Sequence, residues 1–236
     1  MPEPGSFADR LVLITGASRG LGAALATSFA ARGAQLILVA RTAGALEEVD
    51  DRVRAAGGSA TLVPTDLTKG DAVEQLASAV AERFGKLDVL IGNAGTLGVL
   101  SPVSHMDPQA IALAFKLNVE VNVRLIRAFD GLLRAAPAGR AIFVGAAQAH
   151  EGRAFWGNYG ASKAALEQYV LSYAAEVAKT PLRVNLVAPS RFASRLRAQA
   201  YPGEDPTASP PPERMCATFL ELADAACARH REVIAL

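Results

Sequence analysis

Leu11-Val-Leu-Ile14 runs directly into Thr15-Gly16-Ala17-Ser18-Arg19-Gly20-Leu21-Gly22, and an alanine-rich stretch follows as far as Gly33. Four apolar residues in a row read as a strand buried on both faces. The glycines permit a tight turn and let backbone N–H groups approach a pyrophosphate at the N-terminus of the following helix. An ordinary strand-to-helix turn is the plain alternative, but Gly-x-x-x-Gly-x-Gly between a strand and a helix is the context a phosphate-binding turn requires. The spacing departs from the commoner G-x-G-x-x-G fingerprint. Gly16, Ser18, Arg19, Gly20, Leu21 and Gly22 are therefore candidate cofactor contacts.

Outward from this turn the chain alternates between strand and helix patterns. Residues 36–40 read as a second strand ending at Arg41-Thr42, and a helix over about 43–56 stops at Gly57-Gly58. Residues 60–63 form a third strand with Asp66-Leu67 at its carboxyl end. Thr68-Lys-Gly-Asp71 resembles a capping box for a helix running to Phe84. A fourth strand, 87–91, leads into Asn93-Ala94-Gly95, and Asp107-Pro108 reads as the cap and first residue of a helix reaching about residue 135. A fifth strand (140–144), a helix carrying Tyr159 and Lys163 (158–179), a sixth strand (182–187) and a short last one (232–236) complete the pattern. Five prolines among residues 201–212 mark a loop. The alternation predicts an α/β fold, a doubly wound parallel sheet with right-handed crossovers and helices on both faces. Without repeats or an interdomain linker, residues 1–236 read as a single domain with a short tail, 1–9.

The end of the second strand faces the adenosine ribose in a dinucleotide fold, where an acid suits NAD and an arginine suits the 2′-phosphate of NADP. No Asp or Glu stands between residues 34 and 46. Arg41, joined by Arg19, predicts NADP(H) over NAD(H).

With 236 residues, 51% of them hydrophobic, the chain can bury a large core. A net charge of +1 and the lack of any run of five like charges exclude nucleic acid and acidic membranes as expected partners. Cys216 and Cys227 read as reduced thiols spaced along one helix, too far apart to bond. His105, His150 and His230 are scattered, so no metal site is expected. No apolar run approaches ~18 residues and the first ten residues carry no apolar leader core, so a soluble, cytoplasmic protein is expected.

Tyr159-Gly-Ala-Ser-Lys163 carries the chemistry. A phenol and an ammonium four residues apart stack on one helix face. A nearby cation favours the phenolate, so Lys163 is expected to draw the Tyr159 pKa down towards neutral, suiting it to give or take a proton at a substrate oxygen.

With those motifs in order, the chain resembles the short-chain dehydrogenase/reductase family over nearly its whole length: Thr15-Gly-x-x-x-Gly-x-Gly22, Asp66, Asn93-Ala-Gly95, Asn118, Tyr159-x-x-x-Lys163 and Asn185-x-x-x-Pro189. The resemblance implies a Rossmann-type domain of about seven strands and hydride transfer between a nicotinamide and an alcohol or carbonyl. It implies Tyr159 as general acid/base and Lys163 as the group that lowers its pKa and holds the nicotinamide ribose. Asn118 would anchor a water linking Lys163 to solvent. Asp66, with Leu67 beside it, would meet the adenine, the Asn93-Ala94-Gly95 segment the adenosine ribose, and Pro189 the cofactor. Residues 190–212 would be a substrate loop. Residues 152–159 resemble a bacterial oxidoreductase branch of the family, and a homodimer or homotetramer is implied.

Three positions depart from the family pattern. The family's serine, thirteen residues before the tyrosine, is Ala146; its Pro-Gly after the sixth strand is Pro189-Ser190; its Asp-Gly-Gly tail is missing. Gln148 or His150 could supply a substitute donor from the same loop, the plain alternative being that both are rim residues, and Trp156 and Phe192 fall where the family lines its substrate pocket. Two readings follow. One is an NADP(H)-dependent carbonyl reductase or alcohol dehydrogenase; the other is a dinucleotide-binding protein that has lost turnover.

Overall fold

The computed structural model describes residues 6–236, so the first five residues of the expected tail lie outside the described residues. The apolar run opening the chain is β1 (Leu11–Thr15), and it feeds α1 (Gly20–Ala30), β2 (Gln35–Ala40), α2 (Ala43–Ala55), β3 (Ser59–Pro64), α3 (Ala72–Phe84) and β4 (Val89–Gly92). Next come α4 (Pro108–Phe115), a π-helical turn (Lys116–Glu120), α5 (Val121–Ala135), β5 (Arg140–Val144), α6 (Gln148–Glu151), α7 (Gly157–Glu176) and β6 (Arg183–Ala188). The chain closes with α8 (Arg195–Ala200), α9 (Cys216–Ala223) and β7 (Val233–Ala235). Seven parallel strands lie in the order β3-β2-β1-β4-β5-β6-β7. The order reverses beside β1, which opens a crevice at the carboxyl ends of β1 and β4.

Alternation along the strands sorts the core into two layers. Val12 and Ile14 pack with Phe29, Leu25 and Phe219 on one face. Leu11 and Leu13 pack with Phe129, Leu125 and Leu166 on the other. β3 lies at the sheet edge, where Pro64 ends the strand without breaking a central ladder. At the amino end of the sheet Arg140 is buried, and its guanidinium donates to the carbonyls of Asp224, Ala225 and Cys227. That clasp fixes the chain beyond α9.

Four expectations are corrected. The capping box does not form: the Asp66 carboxylate takes both the Thr68 N–H (3.0 Å) and hydroxyl (2.7 Å), so α3 starts later, after Asp71. The helix after Asp107 is capped as expected, with Oδ1 accepting from the Gln109 N–H at 2.9 Å, but it is interrupted by the π turn. Cys227 lies beyond α9, so the two cysteines, both free, do not share a helix. Residues 190–212 are not loop throughout, because α8 stands within them.

Candidate active site

The glycine turn is laced to the loop after β4. Thr15 Oγ1 accepts from the N–H groups of Asn93 and Ala94, both at 3.0 Å, and Asn93 Nδ2 donates back to the carbonyls of Thr15 (2.9 Å) and Gly16 (3.2 Å). Gly16 adopts φ +64°, in the left-handed region, and a Cβ there would meet Ala94 Cα at 2.9 Å. At Gly22 a Cβ would fall 2.3 Å from the Gly16 carbonyl, so no larger residue fits. α1 has no side-chain cap and no acid in its first turn. Its N-terminal N–H groups are therefore left to whatever lies in front of them.

In front of them is a cavity of about 460 Å³, reaching from Ser18, Arg19 and Gly20 to Tyr159 and Lys163. Gly16, Leu21, Arg41, Asp66 and Leu67 border its first half, with Asn93, Ala94 and Gly95 along the middle. Gly22 does not border it; its role is the close packing just described. The Asp66 carboxyl is held below its ordinary range by the Thr68 hydroxyl first, against the opposing effect of burial, with Arg41 and Lys69 adding a smaller pull. This half fits the phosphates of a dinucleotide, because it combines orphan N–H groups, two arginines and free space in front of Gly20.

The π turn delivers Asn118, which is fully buried. Its Oδ1 accepts from the Thr96 N–H at 2.8 Å, and its Nδ2 donates to the Thr96 carbonyl and to Ser162 Oγ, both at 2.9 Å. Ser162 in turn donates to the Tyr159 carbonyl at 2.8 Å. The Asn118 side chain is thus spent on pinning the β4 loop to the Tyr159 helix. Lys163 is close by, since a Cβ on Gly95 would stand 3.2 Å from Asn118 Oδ1 and 3.4 Å from Lys163 Nζ.

Lys163 Nζ donates to the Val144 carbonyl at 2.8 Å and lies 5.9 Å from the centre of the Tyr159 ring. Here the expected acidity is corrected. Burial pushes the Tyr159 phenol up rather than down, and pushes Lys163 down to about 8. Both side chains are almost wholly removed from water, so loss of hydration disfavours the charge on each.

On the substrate side Ala146 is buried in a small apolar cluster with Leu97, Trp156 and Tyr159. The Trp156 ring meets Tyr159 edge-on at 5.8 Å and lies 5.9 Å from the Tyr201 ring. Gln148, Phe192 and Pro189 border the cavity. His150 does not: its Nε2 pairs with Glu167 Oε2 at 3.0 Å, and the ring is largely exposed. Contrary to the expectation, His150 is turned to Glu167 and away from the substrate.

Comparison with known proteins agrees with this geometry. Residues 10–205 match the family model described as short chain dehydrogenase. This chain belongs to the short chain dehydrogenase family. It is 33% identical over 208 residues to the uncharacterized oxidoreductase YciK of Escherichia coli K12, covering 87% of this chain and 82% of that one. It is 32% identical over 184 residues to the 3-oxoacyl-[acyl-carrier-protein] reductase FabG of Salmonella typhimurium, covering 78% of this chain and 74% of that protein. A solved structure described as a short chain dehydrogenase of Escherichia coli CFT073, complexed with NADPH, superposes with a TM-score of 0.93 at 32% identity, covering 99% of both chains.

Several residues of this short chain dehydrogenase's site escaped the sequence reading. Thr15 and Ser162 order the site, and both had a signal: a hydroxyl where a buried strand meets a glycine turn, and one a helical turn after Tyr159. Thr96, Leu97, Leu196 and Tyr201 also border the cavity. Leu196 and Tyr201 arrive on α8 and its flank, a helix of only six residues that is too short to show an apolar period.

Proposed function

We propose that this short chain dehydrogenase is an NADP(H)-dependent oxidoreductase of carbonyl or alcohol substrates, with Tyr159 as its general acid/base. The observation that carries the reading is the single cavity joining an arginine-flanked helix N-terminus to Tyr159 and Lys163. A bound nicotinamide nucleotide supplies the hydride donor or acceptor. Gly16, Ser18, Arg19, Gly20 and Leu21 would hold its phosphates, and Arg41 with Arg19 the 2′-phosphate. Asp66 and Leu67 would meet the adenine, Asn93, Ala94 and Gly95 the ribose, and Pro189 the nicotinamide end.

The protein's own part is proton handling and exclusion of water. Burial favours the protonated Tyr159 phenol, the form that donates to a carbonyl oxygen; in oxidation the phenol must first give up that proton, and the phenolate oxygen then takes the proton of the alcohol. Lys163, anchored on Val144 and poised near pH 8, is the adjacent group able to exchange a proton, and Asn118 keeps the β4 loop and the Tyr159 helix in register. Trp156, Leu97 and Phe192 give the substrate an apolar wall. Ala146 removes a hydroxyl from the oxygen's surroundings, and Gln148 is the polar side chain of that strand-to-helix segment bordering the cavity. Loss of turnover has Ala146 alone in its favour. NADPH oxidation followed at 340 nm against small aldehydes and ketones tests the proposal. Failure of every carbonyl, with NADPH still bound, would sink it.

A further inference from the structure

The mouth of the substrate half carries a charge that the chemistry so far does not use. α8 brings Arg195 and Arg197 there, and Arg191 precedes the helix. Two of them share one carboxylate. Glu204 takes Arg197 at 2.6 and 2.7 Å and Arg191 at 3.0 Å. The other acid of this stretch, Asp205, is turned to the Thr207 N–H and hydroxyl at 2.8 and 2.7 Å. Arg195 is left without a carboxylate partner among the described residues, and it is exposed on the border of the cavity.

The geometry of α8 says which end of the cavity Arg195 serves. Leu196 and Ala200, four apart on one face, pack into the cluster of Leu97, Ala146, Trp156 and Tyr159. Arg195 and Gln199 make the neighbouring face by the same spacing, and Gln199 Nε2 reaches the Gly98 carbonyl at 3.4 Å, across the entrance. Arg195 therefore flanks the face of α8 that packs on the Tyr159 cluster. One further cation raises the potential there: the Arg153 guanidinium lies 5.4 Å from both the Trp156 and the Tyr201 rings. The combination is an apolar slot next to the acid/base phenol, rimmed by positive charge with one unspent guanidinium.

We propose that the substrate carries, besides its carbonyl or alcohol, an anionic group that Arg195 reads at the mouth of the pocket. The proposal rests on the oxidoreductase reading above and narrows its substrate class. A guanidinium fork accepts carboxylate and phosphate oxygens alike, so either anion satisfies the chemistry. An apolar segment between the reacting carbon and the anion suits the site, since Trp156, Leu97 and Leu196 cluster with Tyr159 along the cavity that Arg195 borders.

The test compares three aldehydes that share a benzene ring: 4-formylbenzoate, 4-formylphenyl phosphate and methyl 4-formylbenzoate, which has no charge. With NADP+ present, which cannot reduce an aldehyde, we expect 4-formylbenzoate or the phosphate to bind about tenfold more tightly than the ester, the low end of a charge-assisted hydrogen bond. Binding is read by calorimetry, and KM by NADPH oxidation. Arg195→Gln should erase that preference and leave NADPH affinity unchanged; Arg195→Lys should restore part of it. Preference for the carboxylate over the phosphate, or the reverse, names the anion. Equal binding of all three aldehydes to the unmutated protein overturns the proposal yet leaves the reductase reading intact. So does an Arg195→Gln variant whose loss appears in NADPH affinity instead. If no aldehyde is reduced, the reductase reading fails, while the calorimetric preference still decides the anion site.

Discussion

The Lys163 ammonium donates to the Val144 carbonyl at 2.8 Å, tying the Tyr159 helix to the last residue of β5, two positions before Ala146. Burying the charged lysine costs stability, because burial holds the Lys163 pKa down at about 8. A lysine whose folded value lies below its unfolded value of 10.5 burdens the folded state fully below about pH 8; the burden fades as pH rises from 8 to 10.5. On this scale it is worth ~3 kcal/mol. Lys163→Met removes it and forfeits a hydrogen bond worth ~1 kcal/mol. We expect the variant to be more stable than the parent by ~2 kcal/mol at pH 7, with most of the gap gone at pH 10. Urea denaturation at the two pH values reads it, and a gap independent of pH would contradict the buried-lysine account.

Cofactor choice rests on Arg41 and Arg19, which border the same half of the cavity as the uncapped α1 terminus. NADPH should bind more tightly than NADH. Arg41→Ala should narrow the difference by about 1–3 kcal/mol, the scale of a charge-assisted hydrogen bond. Fluorescence titration of both nucleotides decides the point; equal affinities in the parent protein would rule out the 2′-phosphate clasp.

Assembly follows from the apolar side chains that the fold leaves outside. Leu113 of α4 is 68% exposed, Val103 in the preceding segment 76%, and Tyr169 of α7 53%. Covering these by a second copy of the same helices is the expected reason for a homodimer or homotetramer. Light scattering at micromolar concentration checks it, a monomer mass being the adverse result.

What the sequence disclosed depended on whether a feature is written in neighbouring residues. The glycine turn, the Asp107 cap and the β5 run are local, and each stands where its residues placed it. The π turn at Asn118 left no trace, because one extra residue in a helical turn barely alters the apolar period. His150 and Gln148 are indistinguishable in sequence; only the path of α6 turns one to Glu167 and the other to the cavity. The acidity of Tyr159 runs opposite to the expectation because spacing reveals a nearby charge but not the water removed from it. Arg140 looked like an ordinary strand residue, since the carbonyls it serves come from residues 224–227. Arg140→Ala would leave those buried acceptors without a donor, and we expect a loss of roughly 2–4 kcal/mol in denaturant unfolding. A loss under ~0.5 kcal/mol would show the clasp to be idle.

Ala146 frames the last prediction. Packed against Tyr159, Trp156 and Leu97, it offers the substrate oxygen nothing but a methyl group. Tyr159 then has to be the main donor, with Gln148 the second. Tyr159→Phe should lower kcat by ~10²–10⁴ while NADPH affinity barely moves, because the phenol acts on the substrate. Gln148→Ala should lower kcat by ~10²–10³, the cost of one preorganised donor at a developing oxyanion. His150→Ala should change little, since that ring is engaged with Glu167 at the surface. Ala146→Ser supplies the missing hydroxyl from a position packed in the same cluster as Tyr159. In the parent it should add little if Gln148 already serves, whereas in the Gln148→Ala background it should recover part of the loss, so the two substitutions are non-additive. If Gln148→Ala is silent and Ala146→Ser alone raises kcat by up to ~10², the pocket simply lacks its second donor. Steady-state NADPH oxidation across the five variants distinguishes these outcomes, and full activity in Tyr159→Phe would defeat the acid/base assignment itself.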